Sequence, residues 1–111
     1  MVYDTIKTVL EAAGIKVYFL KPPQSPIAPY VYYQRVSSDK QGNFGYRIDR
    51  FRFTCVATSE TSLKTLISSV ESALFYNQTS FDLVEPPGFQ MEGTEGSDFY
   101  SKIDMLISYK E

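Results

Sequence analysis

The apolar residues Ile6, Val9, Leu10 and Ala13 recur at the i, i+3, i+4 and i+7 spacing of a one-faced helix, and Gly14 follows as a stop. The chain therefore opens on a short amphipathic helix. Residues 16–20 form a brief apolar run with the β-formers Val17, Tyr18 and Phe19, read as a strand cut off by Pro22 and Pro23. Four of the six prolines fall within residues 21–29, which makes this stretch an extended surface loop, because each Pro removes a backbone donor and restrains its predecessor. Residues 30–36 are dense in β-formers, and within 46–57 Phe51, Phe53, Cys55 and Ala57 alternate with Arg50, Arg52, Thr54 and Val56. The two runs make a hairpin. Their connection, 37–45, contains Asp39, Gly42, Asn43 and Gly45 and is too long for a tight turn, so a mobile tip is expected with Phe44 as its apolar anchor.

Thr58 or Ser59 then caps a second helix whose stripe is Leu63, Leu66, Ile67, Val70 and Leu74. About 18 helical residues would span roughly 27 Å, enough to cover a sheet. Beyond Asn77 the pattern offers a short strand at 81–84, a Gly-punctuated connection through Glu85 to Gly96, and a last strand at 98–109. In that strand Phe99, Ser101, Ile103, Met105, Ile107 and Tyr109 share one face. The order α-β-β-β-α-β-β lacks alternating βαβ units. It predicts an α+β fold in one domain, 1–111: a mainly antiparallel sheet of four to five strands with both helices on one face.

Composition narrows the chemistry. The chain of 111 residues has no His, which removes His-based triads, His proton relays and the commonest metal ligand. The single Cys55 alternates in phase with Phe51 and Phe53 and reads as a buried structural thiol. The glycines form no Gly-x-Gly-x-x-Gly or Walker pattern, and Glu92 and Glu95 lie where nothing suggests the burial that tunes an acid. No catalytic residue, cofactor or metal is therefore expected, and the chain reads as a non-enzyme. Asp4, Lys7 and Glu11 interrupt the N-terminal apolar residues, unlike a signal peptide, and no apolar run approaches the roughly 20 residues of a membrane span. Synthesis in a cytoplasm, with no membrane partner, is the expectation.

Charge placement is uneven. All four arginines, Arg35, Arg47, Arg50 and Arg52, fall inside the second and third strands, whereas residues 82–98 hold five acids and no Lys or Arg. Arg50 and Arg52 share a strand face next to the neighbouring Tyr30 and Tyr32, a composition found both at protein interfaces and on single-strand nucleic-acid platforms. A solvated face with cross-strand pairs to Asp49 or Asp104 is the plain reading of the same residues. The net charge of −2 favours a protein partner over sequence-specific nucleic acid. The candidate interface is Arg47, Arg50, Arg52, Tyr30, Tyr32 and Phe44 on one side, with Glu92 and Glu95 on the other.

Several phrases resemble the tail-completion or tail-terminator (head-tail joining) proteins of long-tailed bacteriophages. They are the Pro-led aromatic strand Ala28-Pro-Tyr-Val-Tyr-Tyr-Gln34, the passage Arg50-Phe-Arg-Phe-Thr-Cys-Val-Ala-Thr58 into Leu63 and Leu74, and the closing strand from Phe99 to Tyr109. The resemblance covers about four fifths of the chain and rests on strand pattern and spacing, with no catalytic motif. It implies a structural virion protein, made in the bacterial cytoplasm, that forms a homo-oligomeric ring, usually a hexamer. That ring caps the tail tube and meets the head-tail connector, without cofactor or catalysis. A stand-alone nucleic-acid or peptide binding module using the Arg/Tyr sheet face is the alternative.

Overall fold

The computed structural model describes residues 2–22, 24, 27–41, 46–75, 83–84, 88–96 and 98–110. Helix α1 spans Val2–Ala12 and buries Val2, Ile6 and Leu10. It closes in a Schellman cap: the Gly14 N–H donates to Glu11 O at 3.0 Å and the Ile15 N–H to Leu10 O at 3.1 Å. Gly14, at φ = 81°, takes the left-handed turn that this cap requires. Strand β1 (Val17–Phe19) follows, then β2 (Tyr30–Gln41) and β3 (Tyr46–Ala57). Helix α2 (Glu60–Phe75) begins at Ser59, whose Oγ accepts the Ser62 N–H at 3.1 Å, an N-cap that satisfies one of the orphan donors of the first turn. The chain ends with β4 (Leu83–Val84), β5 (Gly88–Glu95) and β6 (Asp98–Lys110).

The fold is α+β, and its elements follow the expected order with one addition. One sheet runs β1-β2-β3-β6, and β4 and β5 occupy successive stretches of the outer edge of β6. Alternate residues of the central strands, Val31, Tyr33, Phe51, Phe53, Cys55, Ile103, Met105 and Ile107, are buried together with Ile6, Leu10, Leu63, Leu66, Val70 and Leu74 from the two helices. Tyr3 of α1 packs edge-on to Phe51, with centroids 5.8 Å apart.

The sheet is mainly antiparallel, as expected, but among the described residues it has six strands rather than four to five and one parallel pair, β1 lying along β2 with Val17 beside Val31 and Phe19 beside Tyr33. The Pro-rich segment between them is long enough to carry the chain back to the start of β2, so no tight turn forces an antiparallel pair. The expected connection 37–45 is mostly strand: β2 continues to Gln41 and pairs through Gln41↔Tyr46, leaving 42–45, with Phe44, outside the described residues. Local propensity for Ser-Ser-Asp-Lys is poor, and the ladder to β3 overrides it. A bulge between Arg35 and Ser37 resets the register, so that Ser38 rather than Ser37 faces Asp49. The Gly-punctuated stretch 85–96 is mainly β5. There Gly93 lies against Tyr100, whose hydroxyl oxygen would sit 3.1 Å from any added Cβ, and Gly96, at φ = 63°, starts the turn into β6.

Cys55, Tyr33 and Tyr109 are all pushed up to about 12, chiefly by burial, from ordinary values of 9.0 for the thiol and 10.0 for the phenols. Each group loses its proton more reluctantly in the folded chain than in the unfolded one. Their contribution to stability is complete below pH 9 and drains as pH rises toward 12. Urea titrations should therefore give a flat unfolding free energy from neutral pH to about 9 and a decline above it. A profile unchanged to pH 12 would contradict the burial of these groups. The Cys55 thiol should also resist alkylation until denaturant is added.

Candidate functional site

The face of the sheet turned away from the helices is set by the same period of two that builds the core. Tyr30 and Tyr32 on β2, Thr54 and Val56 on β3, and Asp98, Tyr100 and Lys102 on β6 line a depression of about 460 Å³, with Pro22 at its rim. Register makes this neighbourhood: Tyr32 pairs with Thr54 and Tyr30 with Val56, while Lys102 faces Thr54 and Tyr100 faces Val56 from the other side. The Tyr30 and Tyr32 rings stack at 6.4 Å with 25° between planes, and Tyr18 meets Tyr30 edge-on at 6.2 Å. A shallow aromatic floor with one ammonium and one carboxylate at its margin suits the docking of a side chain or a planar group. Tyr33, Arg52, Cys55 and Tyr109, whose ionisation is displaced, lie outside the depression.

Farther along β3 the same face carries Arg52 and Arg50. Arg52 is committed inside the chain: its Nε donates to Asp104 Oδ1 at 2.9 Å and its second nitrogen to Oδ2 at 3.3 Å, across the β3–β6 pair. Arg50 is exposed, and among the described residues it alone of the four arginines shows no side-chain partner. Arg47 lies on the opposite, inner face, where it donates to Ser38 Oγ. Glu92 is exposed on β5, and Glu95 ends that strand opposite Asp98. The sequence candidates thus divide: Tyr30, Tyr32, Arg50 and Arg52 share one face, Arg47 does not, and Glu92 and Glu95 lie along an edge.

Sequence reasoning passed over two groups. Tyr100 and Lys102 fall on the open face by the alternation that places Phe99, Ser101 and Ile103 inward, so that signal was present. The second group is a polar chain on the inner face beyond Phe51. Asp49 is 0 % exposed, and its Oδ2 accepts the Tyr109 hydroxyl at 2.6 Å and lies 3.5 Å from Arg35. The Arg35 guanidinium in turn sits 5.2 Å over the Tyr3 ring. These contacts tie α1, β2, β3 and β6 together. The warning sign was an acid in phase with Phe51 and Phe53, since a buried carboxylate requires partners. Among the described residues there is no group of three or more His, Cys, Asp or Glu able to hold a metal ion, and no helix long and apolar enough to cross a membrane.

No protein-family model and no curated protein matches the chain. Its fold does match. The structure is similar to a chain of the solved virion of a native gene transfer agent (GTA) particle, with a TM-score of 0.59 and 15% identity, over 99% of this chain and 92% of that one. At that identity the likeness is one of fold.

The two ion pairs should separate in a stability test. Asp49→Asn leaves Arg35 and the Tyr109 hydroxyl facing a neutral, fully enclosed group and should cost about 1–3 kcal/mol by chemical denaturation. Asp104→Asn, at a pair whose carboxylate is buried but whose Arg52 guanidinium keeps contact with solvent, should cost less than Asp49→Asn. Equal losses would show that Asp49 is not the tie between these elements.

Proposed function

We propose that the chain is a non-enzymatic structural protein of a phage or phage-like particle, acting as a tail-terminator subunit. In this reading copies of the chain close into a ring, a hexamer in the family it resembles, that caps the tail tube and presents a surface to the head-tail connector. The observation that carries the reading is the end-to-end likeness of fold to a chain of a virion, with 99% of this chain and 92% of that chain aligned. The resemblance of the strand phrases around Tyr30, Arg50 and Phe99 supports the same assignment independently of coordinates.

A ring needs two unlike patches on each subunit. The open face offers Arg50, with its side chain uncommitted among the described residues, next to the Tyr30–Tyr32 floor; the β5 edge offers Glu92 and Glu95. The aromatic floor would supply most of the affinity and the charges would set register and rate. The Tyr/Lys102 depression also suits a single-stranded nucleic acid, the alternative reading, since bases stack on such a floor.

Sedimentation or light scattering across protein concentration, with electron microscopy of the heavy fraction, tests the proposal. Rings are the expected outcome, and Arg50→Glu should raise the midpoint concentration about threefold, as one exposed charge pair allows. Raising salt should weaken rings without abolishing them, because only the exposed charges are screened. A strict monomer that binds oligonucleotides in a salt-sensitive manner would favour the alternative.

A further inference from the structure

The two edges of the sheet differ in a way the open face does not explain. Strand β1 covers β2 only as far as Tyr33, and there the chain is turned aside. Leu20 takes φ = 72°, and the Lys21 N–H bonds back to Phe19 O at 2.9 Å, which closes a γ-turn around a leucine. A branched apolar residue in the left-handed region is strained, and this one gains little packing in return, being 55 % exposed. The consequence is that residues 34–41 of β2, apart from the bulged Val36, pair with β3 on one side and, among the described residues, with no strand on the other. Val36, 43 % exposed, sits within that edge at the bulge. The stretch has no Pro, the device that most simply blocks edge pairing.

The opposite edge is β5, also eight residues long, paired with β6 on one side and with no strand among the described residues on the other. The two segments are unlike in charge. Residues 34–41 contain Arg35, which is paired with Asp49, and Asp39 and Lys40, which offset each other, so this edge carries no net negative charge, whereas residues 88–95 contain Glu92 and Glu95 and no cation. Their directions are also matched. β2 is antiparallel to β3, β3 to β6, and β6 to β5, so β2 and β5 run in opposite senses. A rotation axis along the strands preserves those senses and brings the β5 edge of one copy antiparallel to the β2 edge of the next.

We infer that the open edge of β2, residues 34–41, takes the β5 edge of a second copy of this chain, joining neighbouring sheets into one. This rests on the assembly reading above and names its main-chain contact. Equal length, an edge without net negative charge meeting an acidic one, and antiparallel sense select the occupant, and the γ-turn at Leu20 keeps β1 from filling the site within its own chain.

Residue-resolved amide exchange on the full chain, below and above its assembly midpoint, tests the inference. Amides in 34–41 and in 88–95 should both slow by about tenfold or more, and only in the assembled state. Val36→Asp, which sets a like charge against the acidic edge, should raise the midpoint more than Arg50→Glu does while leaving the circular dichroism of the monomer unchanged. Assembly without added protection in both segments overturns edge pairing and leaves the ring reading standing. Assembly that survives Val36→Asp but not Arg50→Glu does the same. A chain that stays monomeric at every concentration overturns both.

Discussion

The central strands are longer than the helices that must cover them. Strands of 12 and 13 residues extend roughly 40 Å, whereas helices of 11 and 16 residues extend roughly 16 and 24 Å. The molecule is accordingly elongated, 48 × 25 × 24 Å. Up to the level of Phe51 the inner face is an ordinary apolar core closed by α1 and α2. Beyond it the alternation continues, and the inner positions of β2 and β3 turn polar at Asp49, Arg47 and Ser38, while Ile107 opposite Asp49 stays in the core.

A carboxylate can be buried in a core strand only where partners reach it. Asp49 is acceptable because Tyr109 and Arg35 reach it from both flanking strands, and Arg35 is itself held over the Tyr3 ring at the start of α1. The link runs from the helix into the hairpin, so the extension is braced rather than left as an isolated ribbon. The bulge at Val36 belongs to the same solution. By absorbing one residue it keeps Arg35 on the face of Phe51 and brings Ser38 round to Asp49 and Arg47.

The outer face follows different rules because both described helices lie on the other side. There the β3–β6 register commits Arg52 to Asp104 and leaves Arg50 exposed, and it gathers the tyrosines of two non-adjacent strands around Thr54 and Val56. Gly93 contributes by absence of a side chain, since the Tyr100 ring occupies the space a Cβ would need. Face and edges are therefore separate resources. The face is a shaped aromatic surface, and the edges are lengths of main chain that, among the described residues, are left unpaired by a strained turn at one side and by the end of the sheet at the other.

Much of this was legible in the chain as written. Period-two alternation in 50–57 and 98–109 named the inward residues of the two central strands, and the Ile6, Val9, Leu10 spacing with Gly14 described α1 through its cap. These signals are local, because burial of one face forces the repeat wherever the chain is regular. The long reach of β2, the identity of β5 as a strand and the parallel placement of β1 were not local. Ser37 to Gln41 and Gly88 to Glu95 have weak strand propensity, and only the hydrogen bonds of a neighbour distant in sequence make them strands. The same holds for the site. Tyr30, Tyr32, Arg50 and Arg52 could be placed on one face from alternation, but the choice between an available Arg50 and a committed Arg52 depended on which residue of β6 stood opposite each. That is a matter of register, and register is decided by the packing of the whole sheet.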